Sequence, residues 1–217
     1  MHEPPTVSPR RRMIVGISGA TGIIYGLHLL EALSRLDIES HLVITKAGER
    51  TLSYETDHTV REVRAMADHW YSDADIGAAI ASGSFRTMGM VVAPCSVRSL
   101  SAIAGGGTDG LLTRAADVCL KERRRVVLMF REAPLHAGHI RAMAQATENG
   151  AIVLPPVPAF YDRPQSIDEI VNHTVGRVLD LFDVDAGLVR RWSGRPEPAA
   201  DAVERLPEPL EETMPCR

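Results

Sequence analysis

The sequence predicts an α/β fold, a doubly wound parallel sheet in a single domain, on three observations. Its 217 residues, 45% of them apolar, suffice for one substantial core and fall short of two ordinary domains. Apolar runs of strand length recur at Met13 to Ile17, His41 to Thr45, Met88 to Ala93, Val126 to Phe130 and Ala151 to Leu154. Helix-like sequence separates each run from the next. Parallel neighbours need long crossovers, normally right-handed helices, so this alternation favours a parallel sheet covered on both faces. In that architecture ligands sit at the carboxyl ends of the strands.

The first run turns at Gly16-Ile17-Ser18-Gly19-Ala20-Thr21-Gly22 into a helix starting near Gly22, where Ile23, Leu27, Leu30 and Leu33 share one face. Such a turn presents backbone N–H groups to an anion, and Thr21 adds a hydroxyl; a plain strand-to-helix connection reads the same way. The spacing is not GxGxxG. After the second run, Thr45-Lys46 stands where a dinucleotide site usually carries the acidic residue that holds a ribose. A hydroxyl and a cation there favour a mononucleotide.

The third run ends in Pro94-Cys95-Ser96-Val97-Arg98-Ser99, where Ser96 and Ser99 cap the next helix or bind a phosphate. Cys95 lacks a nearby histidine to serve as base, so it reads as a small buried residue rather than a nucleophile. Arg114, Asp117 and Lys121 share a helical face, the spacing of an intrahelical ion pair. Arg131-Glu132 follows the fourth run at the sheet edge where ligands belong. After the fifth run, Pro155 to Tyr161 is a stiff extended segment able to hold Tyr161 against a ligand. Ser166 and Glu169 form a capping box before the last helix, whose apolar stripe runs from Ile167 to Phe182. Within that helix Arg177 either snorkels to solvent or reaches an anion.

The ordered domain is expected over 12–185, with a flexible extension over 1–11 and a proline-rich, acidic tail over 186–217. A net charge of −4 gives no general attraction for nucleic acid, and two Trp, four Tyr and four Phe are too few for a base-stacking platform. No run approaches the about 18 apolar residues of a membrane span, and no apolar stretch follows the basic residues near the start, which points to the cytoplasm. Three cysteines without ligand spacing, Cys95, Cys119 and Cys216, read as reduced thiols.

In register, GISGATG, ITKAGERTLSYETD, SGSF, PCSVRSLSAIA, DGLLTRAADVCLKERR, REAPL, PPVPAFY and TVGRVLD resemble the UbiX-type flavin prenyltransferases, over roughly Met13 to Asp183. The resemblance implies a Rossmann-like (flavodoxin-like), homo-oligomeric and commonly dodecameric enzyme. It would join a dimethylallyl group from dimethylallyl monophosphate to N5 and C6 of reduced FMN, and the prenylated FMN would serve a UbiD-type decarboxylase. Position by position, it assigns FMN binding to Gly19, Ala20, Thr21, Thr45, Ser96, Val97, Arg98, Ser99 and Arg131. It assigns the dimethylallyl phosphate to Tyr161 and Arg177, and the polar surroundings of the reacting centre to Glu55, Arg114, Lys121 and Glu132. Arg98 and Ser99 stand where lysine and threonine are common in the family.

The chain contains no DDxxD sequence of the kind that carries magnesium onto a diphosphate, so a monophosphate held by side-chain cations, with no metal, is expected. Two other readings suit the same pattern: an FMN-dependent decarboxylase of peptidyl-cysteine type, which would want a histidine beside the flavin, and a non-enzymatic flavin carrier. His28, His136 and His139 show no flavin-facing role in the sequence.

Overall fold

A computed structural model describes residues 10–161 and 163–191. Six parallel strands form one sheet in the order β3-β2-β1-β4-β5-β6. They are β1 (Arg12–Ile17), β2 (Glu39–Ile44), β3 (His69–Ser72), β4 (Gly89–Cys95), β5 (Arg125–Phe130) and β6 (Ile152–Val153). The helices are α1 (Ile23–Arg35), α2 (Lys46–Glu55), α3 (Val60–Ala65), α4 (Val97–Ala104), α5 (Leu111–Lys121), α6 (Ala137–Glu148) and α7 (Ile167–Asp180).

Because successive strand residues point to opposite faces, the strands divide their apolar side chains between two cores. Met13, Val15 and Ile17 of β1 pack with Val91 and Ala93 of β4 beneath α1 and α7. Ile14, Met90 and Val92 pack with α4 and α5 on the other face, where Ala146 of α6 joins them. The result is the doubly wound, three-layer arrangement expected of the alternating runs. Ser166 caps α7 by accepting from the Glu169 N–H, and α7 lies against α1. Ala186 and Leu188 still pack on this core; the rest of the extension and tail expected at the two ends lies mostly outside the described residues.

Five of the strands fall on the apolar runs, although β6 has only two residues. The sixth, β3, was not among them. Its sequence His-Trp-Tyr-Ser contains no aliphatic residue and is mostly exposed, because it is an edge strand that hydrogen-bonds only to β2. Neither alternation nor an apolar run marks such a strand.

Strand order reverses between β1 and β4: β2 and β3 follow on one side of β1, β4 to β6 on the other. Connections therefore leave these two strands in opposite directions and open a crevice beyond their carboxyl ends. α1 crosses beside that crevice, and its contact with β4 depends on Gly26. A Cβ there would lie 2.5 Å from the carbonyl oxygen of Ala93 and 3.0 Å from Ile17 Cδ1. Gly26→Ala is accordingly expected to destabilise the fold by about 2 kcal/mol, seen as a lower urea midpoint with an unchanged slope.

Candidate active site

The crevice holds a cleft of about 1010 Å³, bounded by the loops that leave β1, β2, β3, β4 and β5. Gly19, Ala20 and Thr21 line it from the first loop, Thr45 and Lys46 from the second, Ser96 to Ser99 from the fourth, and Arg131 and Glu132 from the fifth. All nine residues assigned above to FMN, together with Glu132, thus meet in one place.

Local hydrogen bonds explain how each loop is held. The buried hydroxyl of Ser18 donates to the Pro94 carbonyl at 2.9 Å and accepts from the Ser96 N–H at 2.8 Å, joining the ends of β1 and β4. Thr45 donates its N–H to Ile17 O, which extends the β1–β2 ladder, and its hydroxyl caps α2 by accepting from Gly48 N–H. Ser96 caps α4 through the Ser99 N–H and donates its own hydroxyl hydrogen to Ser99 Oγ at 3.2 Å. Arg131 N–H donates to Cys95 O, carrying the β4–β5 pairing one step past Phe130 and setting the Arg131 side chain at the cleft.

Glu55 stands elsewhere than a reacting centre would suggest. Its Oε2 accepts from both Gly22 N–H and Ile23 N–H at 2.9 Å, so its carboxylate seals the amino end of α1. Gly22, at φ 100°, adopts the left-handed conformation that this entry into the helix requires. The glycine turn therefore lines the cleft with Gly19 to Thr21, while the helix-start amides beyond it are already occupied.

Among the described residues five cations line the cleft: Lys46, Arg50, Arg64, Arg98 and Arg131. Arg64 is engaged, donating to Glu49 at 2.7 Å and lying 4.3 Å over the Trp70 ring. Arg98 and Arg131 are exposed and have no carboxylate partner among the described residues. Burial raises the Tyr25 phenol above its ordinary range, and the positive charge of Arg131 opposes the rise. An anion entering the cleft meets two uncompensated guanidinium groups beside the capped start of α4. Asp73, from the loop after β3, orders the opposite rim: its Oδ1 accepts from Leu112 N–H and its carbonyl from Leu111 N–H, which starts α5. Sequence reasoning did not single out Asp73, because it follows the strand that carried no signal.

Besides Glu55, four assigned residues do not line the cleft. Arg114 makes the intrahelical pair its spacing suggested, 2.9 Å to Asp117. α5 begins at the cleft and runs away from it, so Lys121 at its last residue is about 16 Å further along the axis; there it pairs with Glu122 at 2.6 Å. Arg177 is exposed and bound to Asp180 at 2.7 Å. Tyr161 is half exposed, with its hydroxyl 3.4 Å from His173 Nε2.

The histidines and cysteines of the alternative readings lie away from the cleft lining. His28 meets Asn172 Oδ1 at 2.9 Å, tying α1 to α7, and His136 caps α6 while stacked on His139. No described cleft-lining residue is a histidine. Cys95 is fully buried, and burial drives its thiol far above the usual range. Burial likewise pushes Cys119 up to about 11, against a smaller lowering by Thr87 and Arg124.

A parallel sheet with a cleft at its switch point, lined by both cations and carboxylates, defines an α/β protein with a ligand-sized crevice where such folds bind. The Flavoprotein family model matches residues 1–179. The flavin prenyltransferase UbiX of Escherichia coli (strain K12) is 58% identical over 187 residues, covering 85% of this chain and 99% of that protein. The flavin prenyltransferase UbiX of Thauera aromatica is 54% identical over 186 residues, covering 86% and 96%. Among solved structures, AnUbiX (PadA1) in complex with FMN and dimethylallyl pyrophosphate superposes with a TM-score of 0.85 at 49% identity, covering 87% of this chain and all of that one. A dodecameric FMN-dependent UbiX-like decarboxylase from Escherichia coli O157:H7 gives 0.82 at 47% identity, over 84% of this chain and 100% of that one. The chain belongs to the Flavoprotein family and, within it, to the UbiX-type flavin prenyltransferases.

Burial of both described thiols has a direct consequence. At about pH 8, well below either thiol's titration range, iodoacetamide is expected to leave Cys95 and Cys119 unmodified in the native protein and to label both in urea. Peptide mass analysis reads the result, and rapid native labelling of Cys95 would return it to consideration as a nucleophile.

Proposed function

We propose that this chain transfers a dimethylallyl group from dimethylallyl monophosphate to N5 and C6 of reduced FMN and releases prenylated FMN to a UbiD-type decarboxylase. The observation that carries this reading is the cleft: nine FMN-assigned residues and Glu132 converge at the switch point of a chain more than half identical to named flavin prenyltransferases. Its volume is at the upper end for small-molecule sites, room for a nucleotide together with a second, smaller molecule. Arg98 and Arg131 suit the phosphate-bearing ligand, and Thr21, Thr45, Ser96 and Ser99 supply neutral hydrogen-bonding groups. Reduced FMN, when bound, supplies the nucleophilic atoms that accept the prenyl carbon.

Loss of phosphate from an allylic carbon leaves negative charge on the departing oxygen, which cations must stabilise. In this proposal Arg114, Lys121 and Arg177, with the Tyr161 hydroxyl, hold it by charge-assisted hydrogen bonds, and Glu132 holds a proton or orients the cations, with Glu55 in that role only if it leaves the amino end of α1. Since the first four lie outside the cleft of their own chain, they would serve the cleft of a neighbouring copy in a homododecamer. The dodecameric relative supports that assembly, as does a surface that leaves Tyr54, Val157, Phe160 and Ile167 each at least 69% exposed. The described cysteines are unpaired, in keeping with a reducing cytoplasm, and no described helix is long and apolar enough to cross a membrane.

Incubation with FMN, a reductant and dimethylallyl monophosphate, followed by mass analysis of the released flavin, tests the reaction. A flavin heavier by one prenyl unit is expected, also after EDTA treatment; unchanged FMN would indicate a carrier, and carbon dioxide released from an added acid a decarboxylase. A strict magnesium requirement would overturn the metal-free part of the proposal.

Two variant experiments test the assignments. Arg131→Ala should weaken FMN binding by roughly 10- to 100-fold, the cost of a lost charge-assisted hydrogen bond. Lys121→Ala and Glu132→Ala should each bind FMN normally and prenylate at least about 10-fold more slowly. If the cleft is shared between copies, assemblies mixed from these two variants regain part of the parental rate; mixtures as slow as either variant alone would place both residues in one chain's site.

A further inference from the structure

A second polar cluster lies at the amino edge of the sheet, at the opposite end of the strands from the cleft. Residues two apart on a strand share a face, so Glu39 and His41 of β2 point the same way, and the register sets His41 beside His69 of β3. The two imidazoles stack with centroids 4.9 Å apart and planes inclined by 17°. Glu39 Oε1 lies 2.9 Å from His41 Nε2 and 3.5 Å from His69 Nε2. Among the described residues this is the one group of three histidine, cysteine or carboxylate side chains close enough to share an ion, one ligand atom of each lying within 4.8 Å of the others. A tetrahedral zinc ion with bonds near 2.0–2.1 Å keeps its ligand atoms about 3.3 Å apart, and the two distances to the carboxylate straddle that spacing.

We propose that Glu39, His41 and His69 form a binding site for a divalent transition metal of the zinc type, with water completing the coordination. The inference goes beyond the prenyl-transfer reading and shares no residue with it: Thr45, at the cleft just past β2, is six residues from Glu39, roughly 20 Å away.

The surroundings suit an ion that comes and goes. His41 is 1% exposed, whereas the His69 side chain is 54% exposed, so entry is from the His69 side. His41 Nδ1 stands 3.0 Å from the Tyr71 hydroxyl. With the ion bound, Nδ1–H donates to the phenol oxygen and leaves the Nε2 lone pair for the metal, the outer-shell contact that fixes the tautomer of a ligating histidine. Without it, Tyr71 donates to Nδ1 and Nε2–H donates to Glu39, so the buried ring is satisfied in either state. Arg12 Nε donates to Glu39 Oε1 at 3.1 Å and balances the carboxylate when no ion is present. Its guanidinium also lies 4.8 Å over the Phe85 ring, a contact it retains if the ion draws the carboxylate away. A bound ion would bridge β2 and the exposed edge strand β3, which is otherwise fastened to the sheet along only four paired residues.

The test uses the full chain, stripped with EDTA, freed of chelator and titrated with cobalt(II). Uptake of one equivalent is expected, with visible d–d absorption that zinc abolishes by displacement. His69→Ala, at a half-exposed position, should lose the absorption while keeping the parental circular dichroism and prenylation rate. Tyr71→Phe should weaken cobalt binding by about 10-fold, and His136→Ala, which removes the other stacked histidine pair, should leave it unchanged. Zinc should raise the melting temperature of the parental chain and not that of His69→Ala. No stoichiometric uptake by the parental chain, or equal uptake by His69→Ala, would overturn the site without bearing on prenyl transfer.

Discussion

The hydroxyl of Ser18 is the joint on which the cleft depends. It has no exposure to solvent and spans the point where the sheet reverses direction, giving its hydrogen to Pro94 and taking one from the Ser96 amide. Parallel strands diverge beyond their carboxyl ends, and backbone groups there would be left without partners in a buried setting. Ser18 satisfies both, its N–H and hydroxyl converging on the Pro94 carbonyl while its Oγ takes the Ser96 N–H, and so fixes the glycine turn of β1 relative to the capped start of α4. The two loops that contribute most of the FMN-assigned residues are thereby held as a unit.

Around that joint the cleft is built from positions whose local duties and chemical duties coincide. Thr45 and Ser96 cap helices with side chains that also line the cleft, and Arg131 extends a ladder with its backbone while its guanidinium stays exposed. Such double use keeps the polar groups aligned without mobile loops to order, a cost that binding would otherwise carry. The remaining assigned cations, Arg114, Lys121 and Arg177, lie outside the cleft lining, each resting against a carboxylate of its own helix or of the adjoining turn.

Much of this was legible in the sequence, for physical reasons that differ by element. β1, β4 and β5 are buried on both faces and announce themselves as unbroken apolar runs. The turn after β1 and the Pro-Cys-Ser segment at the end of β4 stand out because glycine and helix-capping serines occur where a strand meets a helix. β3 was silent, since an exposed edge strand needs no apolar pattern, and with it went Asp73 and the amino-edge histidines. The partner of Glu55 was equally hidden: a carboxylate 32 residues from the amide it meets leaves no trace in local spacing.

Glu55 also helps to decide which nucleotides the fold will refuse. In dinucleotide-binding relatives of this architecture the pyrophosphate rests on the first helix's amino end. Here that berth is filled by a side chain with the same charge as the ligand, so a pyrophosphate bridge would have to evict it and then lie beside it. An anion is thus turned away from the start of α1 and toward the guanidinium groups of Arg98 and Arg131, unpaired among the described residues.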